Sequence, residues 1–341
     1  MPVTIRDIAR ESGVHISTVS RAFSAPHRVN PETRRKVLDC AEHLGYQPNR
    51  AARSLAKGRT GMIGVVVPDI VNPFYADIVK AVEARARRKG FAVLLLDTDE
   101  QADDEHELIG PLSQQADGVI VAGSRLSPEE LAETCAGFPT VLVVRSAPGI
   151  PSIIAPPGRG MDQAIEHLYA LGHRRICYLA HETWVKEDER EAMRAITTRL
   201  GMELIELFDV VEPKYEAGVA ATDRIVARGA TAVIAHNDLT ALGVMSRLAQ
   251  RGVSVPHDFS VIGVDDTFMA RLPHPQLTSI HLPLNEMGSK AVDVMVDMIS
   301  GGEVAPDVIK LSAGLIVRGS TGRAPAAAAG RAAGDALLQE Q

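Results

Sequence analysis

The sequence predicts an N-terminal all-α helix-turn-helix domain with a short hinge helix, followed by a larger α/β body built on two parallel sheets. Charge is the first observation behind this. Residues 1–60 hold 11 Lys and Arg against 5 Asp and Glu, a net of +6, while the remainder holds 25 against 38, a net of −13. A small basic module on an acidic body is expected where one end of a chain meets a polyanion, although a merely solvated basic face gives the same count. The second observation is periodicity: from Met62 onward, Val/Ile/Leu runs alternate with amphipathic stretches, the pattern of parallel strands covered by helices. The third is size. A chain of 341 residues, 45% hydrophobic and only 4% aromatic, suits two or three domains, each able to bury a core.

The same reading narrows the class. No apolar run approaches the roughly 18 residues that span a bilayer, and "MPVTIRDIAR" is charged within six residues, so neither a membrane span nor a signal peptide is expected. Cys40, Cys135 and Cys177 are far apart and form no C-x-x-C pair. They are expected to be reduced thiols in a cytoplasmic protein, two of them buried.

In "TIRDIARESG", Thr4 is placed to cap a helix with Asp7 three residues on. Ile5, Ile8 and Ala9 share a face, and Gly13 stops the helix. "ISTVSRAF" then turns Ile16, Val19 and Phe23 inward and leaves Ser17, Thr18, Ser20 and Arg21 exposed. A third helix opens at Asn30 and Pro31, carries Val37, Leu38, Ala41 and Leu44 as its stripe, and closes at Gly45. Two short helices about a glycine turn, completed by a third, make a helix-turn-helix over residues 1–47. Its second helix enters the major groove, where Arg21 can pair with guanine and Ser17 and Thr18 can reach bases or phosphates. A generic three-helix cap shares the apolar pattern.

Residues 48–60 read as a hinge. Asn49 to Ala56 is helix-capable, with Arg50, Arg53 and Lys57 around Leu55, yet too short to be stable alone in water. Either DNA orders it and Leu55 wedges into the minor groove, or it is a linker whose leucine caps the core.

In the body the expected strands are "MIGVVV", "AVLLLD", "GVIVAG", "TVLVV", "RICYLA", "AVIAH" and "FSVIGV". The expected helices cover about 74–89, 160–171, 187–200, 214–228 and 238–251. In open α/β sheets, ligands sit off the carboxyl ends of the strands. That rule nominates Asp69, Asn72, Pro73, Phe74, Tyr75, Asp97–Asp99, Ser124 and Arg145 on the first sheet. On the second it nominates His181, Trp184, Arg190, His236, Asn237, Asp238, Asp265 and Asp266. Carboxylates and amides around an aromatic wall suit a polyhydroxylated ligand. Structural roles compete: Asp238 as a helix cap, Asp265-Asp266 as a strand terminus.

The chain resembles the LacI/GalR family of bacterial transcription regulators. The stretches that carry this are "TIRDIARESGVHISTVSRAF", "VNPETRRKVLDCAEHLGYQPNRAARSLAKGRT", "IGVVVPDIVNPFYADIVKAVEARARRKGF", "LGHRRICYL", "HNDLTALGVMSRLAQRGVSVPHDFSVIGVDD", "PQLTSIHLPLNEMGSKAVDVM" and "VRGSTGR". They run in order from residue 4 to about 323. The resemblance implies a two-lobed, periplasmic-binding-protein-like core over 61–320, with two Rossmann-like sheets and the effector between them. The first lobe would be roughly 61–158 plus 285–315, and the second roughly 159–284 plus a final segment. It also implies a homodimer on a pseudo-palindromic double-stranded DNA operator, with Leu55 inserted at a central step, usually CpG. The implied DNA set is Thr4, His15, Ile16, Ser17, Thr18, Ser20 and Arg21 with Asn49, Ala52, Arg53 and Leu55 of the hinge. Phe74 and Tyr75 would line the cleft, and Asn237 and Asp265 would hydrogen-bond a small-molecule effector.

Departures from the family pattern shape further expectations. His15 stands where a capping serine is common, so its imidazole is expected to contact phosphate instead. Val144, in "LVVRSAPG", stands where an aspartate that binds a sugar hydroxyl is usual, and the next crossover reads "IIAPPGRG". The family's effector arginine falls at Glu189 or Arg190. His181 and His236 replace small residues, and with Arg145, Lys186 and Arg190 they raise the expectation of a cationic cleft for an anionic sugar derivative.

His181, His236 and Asp238 lack a recognisable metal-ligand spacing, and neither a metal nor a cofactor is expected. No G-x-G-x-x-G follows the first strand, and neither G-x-x-x-x-G-K-[ST] nor G-x-S-x-G occurs, which argues against an enzyme. A ligand-responsive repressor is the leading reading; a small-molecule binding protein or enzyme of the same fold without operator control is the alternative. The tail, 321–341, is Ala/Gly-rich without a leucine heptad. It is expected to be disordered, leaving a dimer rather than a tail-assembled tetramer.

Overall fold

The computed structural model describes residues 3–24, 26–46, 59–181, 187–208 and 212–325. The chain divides into two compact units, Met1–Thr60 and Gly61–Gln341.

In the first unit α1 covers Ile5–Ser12, α2 Ile16–Ser24 and α3 Pro31–His43, with a 3₁₀ turn at Pro26–Arg28. Asp7 Oδ2 accepts from both the backbone N–H and the hydroxyl of Thr4, at 2.9 and 2.7 Å. Gly13 ends α1 at φ +66°, a left-handed conformation that glycine adopts without a Cβ penalty. Asn30 Oδ1 caps α3 by accepting from Glu32 N at 2.9 Å. The core is Ile8, Ala9, Val19, Ala22, Val37 and Ala41, with Phe23 and Tyr46 in contact at its edge. One expectation is corrected. Ile16 is not inward but 39% exposed, and Ala22 fills the core instead. Ile16 opens its helix, and first-turn side chains lean back toward the N-terminus, beyond the packed turns.

In the second unit the strands are β1 Met62–Val67, β2 Ala92–Asp97, β3 Val119–Ala122, β4 Thr140–Val143, β5 Ser152–Ile154, β6 Arg175–Leu179, β7 Glu203–Leu207, β8 Ala232–Ala235, β9 Ser260–Asp265, β10 Thr278–His281, β11 Val308–Lys310 and β12 Gly314–Ile316. They form two six-stranded sheets, ordered β11-β5-β4-β3-β1-β2 and β12-β10-β9-β8-β6-β7. Every pairing is parallel except β10 with β12. The chain passes between the sheets after β5, after β10 and after β11, so each lobe is discontinuous.

The intervening helices are α4 Pro73–Arg88, α5 Ala102–Gln115, α6 Pro128–Thr134, α7 Gly158–Ala170, α8 Glu187–Arg199, α9 Tyr215–Ala227, α10 Asp238–Gln250 and α11 Leu284–Ile299. β1, β3, β4, β8 and β9 are almost wholly buried, which is why their sequences read as unbroken apolar runs. α4 and α11 pack so closely that a Cβ on Gly288 would stand 2.8 Å from Ala81 Cβ. Arg85 clamps them with a two-pronged bond to Asp293 at 2.9 and 2.8 Å.

The boundary of the expected tail moves. Thr321 Oγ1 lies 2.9 Å from His167 Nε2, Gly322 N donates to Ser260 Oγ at 3.0 Å, and Ala324 N donates to Leu171 O at 2.9 Å. Residues 321–325 therefore belong to the second lobe, and 326–341 lie outside the described residues. Among the described residues, no helix is long and apolar enough to cross a membrane. Cys135 and Cys177 are buried free thiols and Cys40 is half-buried.

Candidate effector cleft and DNA-reading face

The reading face is set by how α2 begins. Ser17 N donates to His15 Nδ1 at 3.3 Å, and Ser17 Oγ lies 2.8 Å from the same nitrogen. The imidazole caps the helix that a serine hydroxyl would otherwise cap. An Nδ1 that accepts leaves the proton on Nε2 in the neutral ring, so the expected phosphate contact is compatible with capping rather than a substitute for it. Ile16, Ser20 and Arg21 are exposed and Ser17 and Thr18 half-buried along α2. The Thr4 hydroxyl is engaged by Asp7. Asn49, Ala52, Arg53 and Leu55 lie outside the described residues.

The cleft residues stand where the strands of the two sheets end. On the first lobe, Asp69 Oδ1 accepts from Val71 N at 2.8 Å. Asn72 Oδ1 caps α4 by accepting from Phe74 N at 3.1 Å. Phe74 and Tyr75 are buried edge to face, with ring centroids 5.0 Å apart. Tyr75 fits only because residue 123 is glycine: at φ +72°, a Cβ there would lie 2.5 Å from the ring. Ser124 Oγ accepts from Leu126 N at 3.0 Å. Val144 sits at φ +77°, a strained conformation for a β-branched residue.

On the second lobe Asn237 caps α10 through Thr240 N at 2.8 Å and donates from Nδ2 to Pro213 O at 2.9 Å. Asp238 is therefore not the cap. Its Oδ1 accepts from Ser279 Oγ at 2.6 Å, and its Oδ2 from Thr267 N at 2.8 Å and Thr267 Oγ1 at 3.1 Å. Burial pushes its carboxyl up to about 6, against those hydrogen bonds. Asp265, at φ +108°, is pushed well above the usual carboxylate range by burial and then by Asp238. Asp266 does more than terminate a strand, since it binds Arg318 and lies 3.1 Å from His281 Nδ1.

Several of the groups expected to make the cleft cationic are engaged or neutral. Arg145 Nη1 is spent on the carbonyls of Ser124 and Leu126, at 2.7 and 3.2 Å. Arg190 lies 3.4 Å from Glu187 and 3.5 Å from Glu206, with its guanidinium 4.2 Å over the Phe208 ring. The His236 ring is held down to about 3, chiefly by burial and then by His181 and Arg125, so it is neutral at physiological pH. His181 is half-buried just past β6, and Trp184 and Lys186 lie outside the described residues. Of the two residues at the family arginine position, Arg190 covers the Phe208 ring, and Glu189 adds to burial in raising the Tyr178 phenol.

Two polar residues of this site were not nominated from sequence, Glu100 and Arg125. Each lies one residue past a nominated one, Asp99 and Ser124, and extending the strand-end rule by a residue would have found both.

The profile described as bacterial regulatory proteins, lacI family, matches residues 4–49, and that of the periplasmic binding protein-like domain matches residues 165–321. The chain is 31% identical over 331 residues to catabolite control protein A of Priestia megaterium, covering 94% of this chain and 100% of that one. It belongs to the lacI family of bacterial regulatory proteins. Among solved structures of similar proteins, the lac repressor dimer bound to operator and the anti-inducer ONPF matches with a TM-score of 0.83 at 27% identity, over 94% of this chain and 100% of that one. The CelR–cellobiose complex, also a transcriptional regulator, matches with a TM-score of 0.68 at 29% identity, over 93% and 99%. The lacI-family match covers the capped α2, and the periplasmic binding protein-like match covers the strand ends of the second lobe.

Proposed function

We propose that this lacI-family chain is a transcriptional repressor without enzymatic activity, acting in the cytoplasm. It binds a pseudo-palindromic operator as a dimer and responds to a small molecule held between the lobes. The observation that carries this is one chain combining a capped reading helix, with Ile16, Ser20 and Arg21 exposed, and a two-lobed cleft, over a length that matches an operator-bound repressor dimer. An apolar groove of about 950 Å³ on the second lobe, lined by Tyr215, Leu242, Met245 and Leu272 among others, supports the dimer. Leu272 is 66% exposed there, and an exposed apolar patch of this kind marks an interaction surface.

The chemistry of the cleft favours an uncharged, hydroxyl-bearing effector. Arg190 is ion-paired, His236 is neutral and Asp265 is pushed toward its protonated form, which leaves donors and acceptors for hydroxyls. Effector and operator then change each other's affinity by one common factor. A switch of roughly 10²-fold corresponds to about 2.7 kcal/mol of differential binding.

Selection of binding sites from random duplex DNA, at one stated salt concentration, tests the reading. Enrichment of a pseudo-palindrome is expected, with CpG at its centre, and a pool that stays random defeats the proposal. On the selected site Arg21→Ala should relax one base pair per half-site by about 1–3 kcal/mol; uniform weakening would reduce Arg21 to a phosphate contact. Leu55→Ala should weaken the operator complex and leave effector affinity unchanged.

A further inference from the structure

The ends of β2 and β3 hold an ion pair to which the family resemblance gives no role. Arg125 Nε donates to Glu100 Oε2, and Nη1 donates to Gly123 O at 2.9 Å. Nη2 reaches Tyr75 Oη at 3.5 Å, and the backbone N–H of Arg125 donates to Glu105 Oε2 at 2.8 Å. The two paired side chains are only 18% and 17% exposed.

Position matters as much as pairing. Tyr75 lies close enough to Asp265 of the second lobe, and Arg125 to His236, for their charges to act on one another. Glu100 and Arg125 follow the carboxyl ends of β2 and β3, where ligands sit in open α/β sheets, and Arg125 Nη2 reaches the Tyr75 hydroxyl there. Glu100 is also held there at a cost. Asp99 and Glu100 are consecutive non-glycine residues at φ +46° and +63°, and strain of this kind persists where the surrounding structure fixes a functional group. Glu100 Oε1 is buried and has no hydrogen-bond partner among the described residues. A pair that served only to brace two loops would gain nothing from an unsatisfied buried acceptor. After β4 stands Val144, whose side chain offers no hydrogen bond.

We propose that Glu100 and Arg125 are the specificity-determining pair of the first lobe, with Glu100 Oε1 accepting from one effector hydroxyl and the guanidinium edge donating to its neighbour. The charge of Glu100 then rejects carboxylates and phosphates at that end of the ligand. This rests on the cleft being the effector site of a regulator.

The test is isothermal titration of the full chain against D-ribose, D-glucose, cellobiose and cytidine, alongside D-gluconate, ribose 5-phosphate and glucose 6-phosphate. The wild type should bind at least one neutral compound and prefer it to the anions. Glu100→Gln should weaken that binding at least tenfold and narrow the neutral-to-anion ratio, whereas Tyr75→Phe should weaken it only a few-fold with the ratio unchanged. If Glu100→Gln does not fold, Arg125→Lys, which keeps the charge and loses the planar fork, should give the tenfold loss. Binding within twofold of wild type in the folded variant overturns the proposal. So does a wild type that prefers the anions, or one that binds nothing in the panel. Selection of operator DNA by the same wild-type preparation separates the two failures, because an enriched duplex keeps the regulator reading intact whatever the sugars do.

Discussion

At the strand ends of the first lobe, Arg125 sits among Glu100, Glu105 and Tyr75, and every close polar contact joins a charge to an opposite charge or to a dipole. In the second lobe several buried polar groups are handled the other way. Burial holds the His173 ring down to about 4 and the His236 ring to about 3, and pushes the Asp238 carboxyl up to about 6. The first lobe thus keeps its strand-end polarity by pairing charge, whereas the second pairs Asp266 with Arg318 and also suppresses charge at His173, His236 and Asp238. The difference predicts that the first lobe is vulnerable to removal of a partner and the second to a change of pH.

The largest effect is expected from Arg125→Met, which leaves the largely buried Glu100 carboxylate without its cation. Breaking a buried pair on one side should cost about 4 kcal/mol of stability, measured by denaturant unfolding. A loss under about 1 kcal/mol would mean that pairing is not what holds this lobe.

Acid should sharpen the contrast next. His173 contacts Thr231 Oγ1, Ser260 Oγ and Gly322 O at 2.8, 3.0 and 3.1 Å. In the unfolded chain an imidazole protonates near pH 6.5, but in the folded second lobe only near 4. Stability present above pH 6.5 is therefore lost as pH falls toward 4, by about 3 kcal/mol. Asp238 has the opposite sign: its folded state favours the neutral carboxyl, so its contribution is lost as pH rises through 6. Comparing wild type with His173→Gln isolates the first term. The wild type's advantage at pH 7 should shrink by about 3 kcal/mol at pH 4, and parallel pH curves would refute the assignment.

The smallest effect is expected from Ser279→Ala. It removes the 2.6 Å hydrogen bond to Asp238, worth about 1.5–3 kcal/mol when the acceptor is charged, and lets the carboxyl rise further. The loss in melting temperature should therefore be greater at pH 8 than at pH 5. Equal losses would show that Asp238 does not change charge in that range.

How much of this was legible in the sequence follows from burial. β1 was readable to the residue because "MIGVVV" is a buried apolar run; β2, though at a sheet edge, was readable because "AVLLLD" is apolar without a break until its last residue. β5 is three residues between Pro151 and Pro156, and β7 alternates as "ELIEL" because it lies at a sheet edge. Neither gives a continuous signal. α5 carries Pro111 within it, which argues against a helix in any local reading. In the cleft, the nominated positions do stand at strand ends, but chemistry did not follow from type. Arg145 and Asn237 are committed to backbone partners, and His236 is neutral. Residue identity offers a charge or a donor; only packing tells whether it has already been used.

The last strands to be made are the ones that finish both sheets. β11 pairs with β5 and β12 with β10, and the segment after them ties to His167, His173, Ser260 and Leu171. During synthesis, an emerging chain that has reached β10 still lacks an outer strand on each sheet. Both β5 and β10 then present open backbone to whatever is nearby, the condition under which strands pair with the wrong chain. A nascent chain of this design is therefore most exposed to aggregation after β10 has emerged and before β11 has, and a translational pause that holds it there would prolong that exposure.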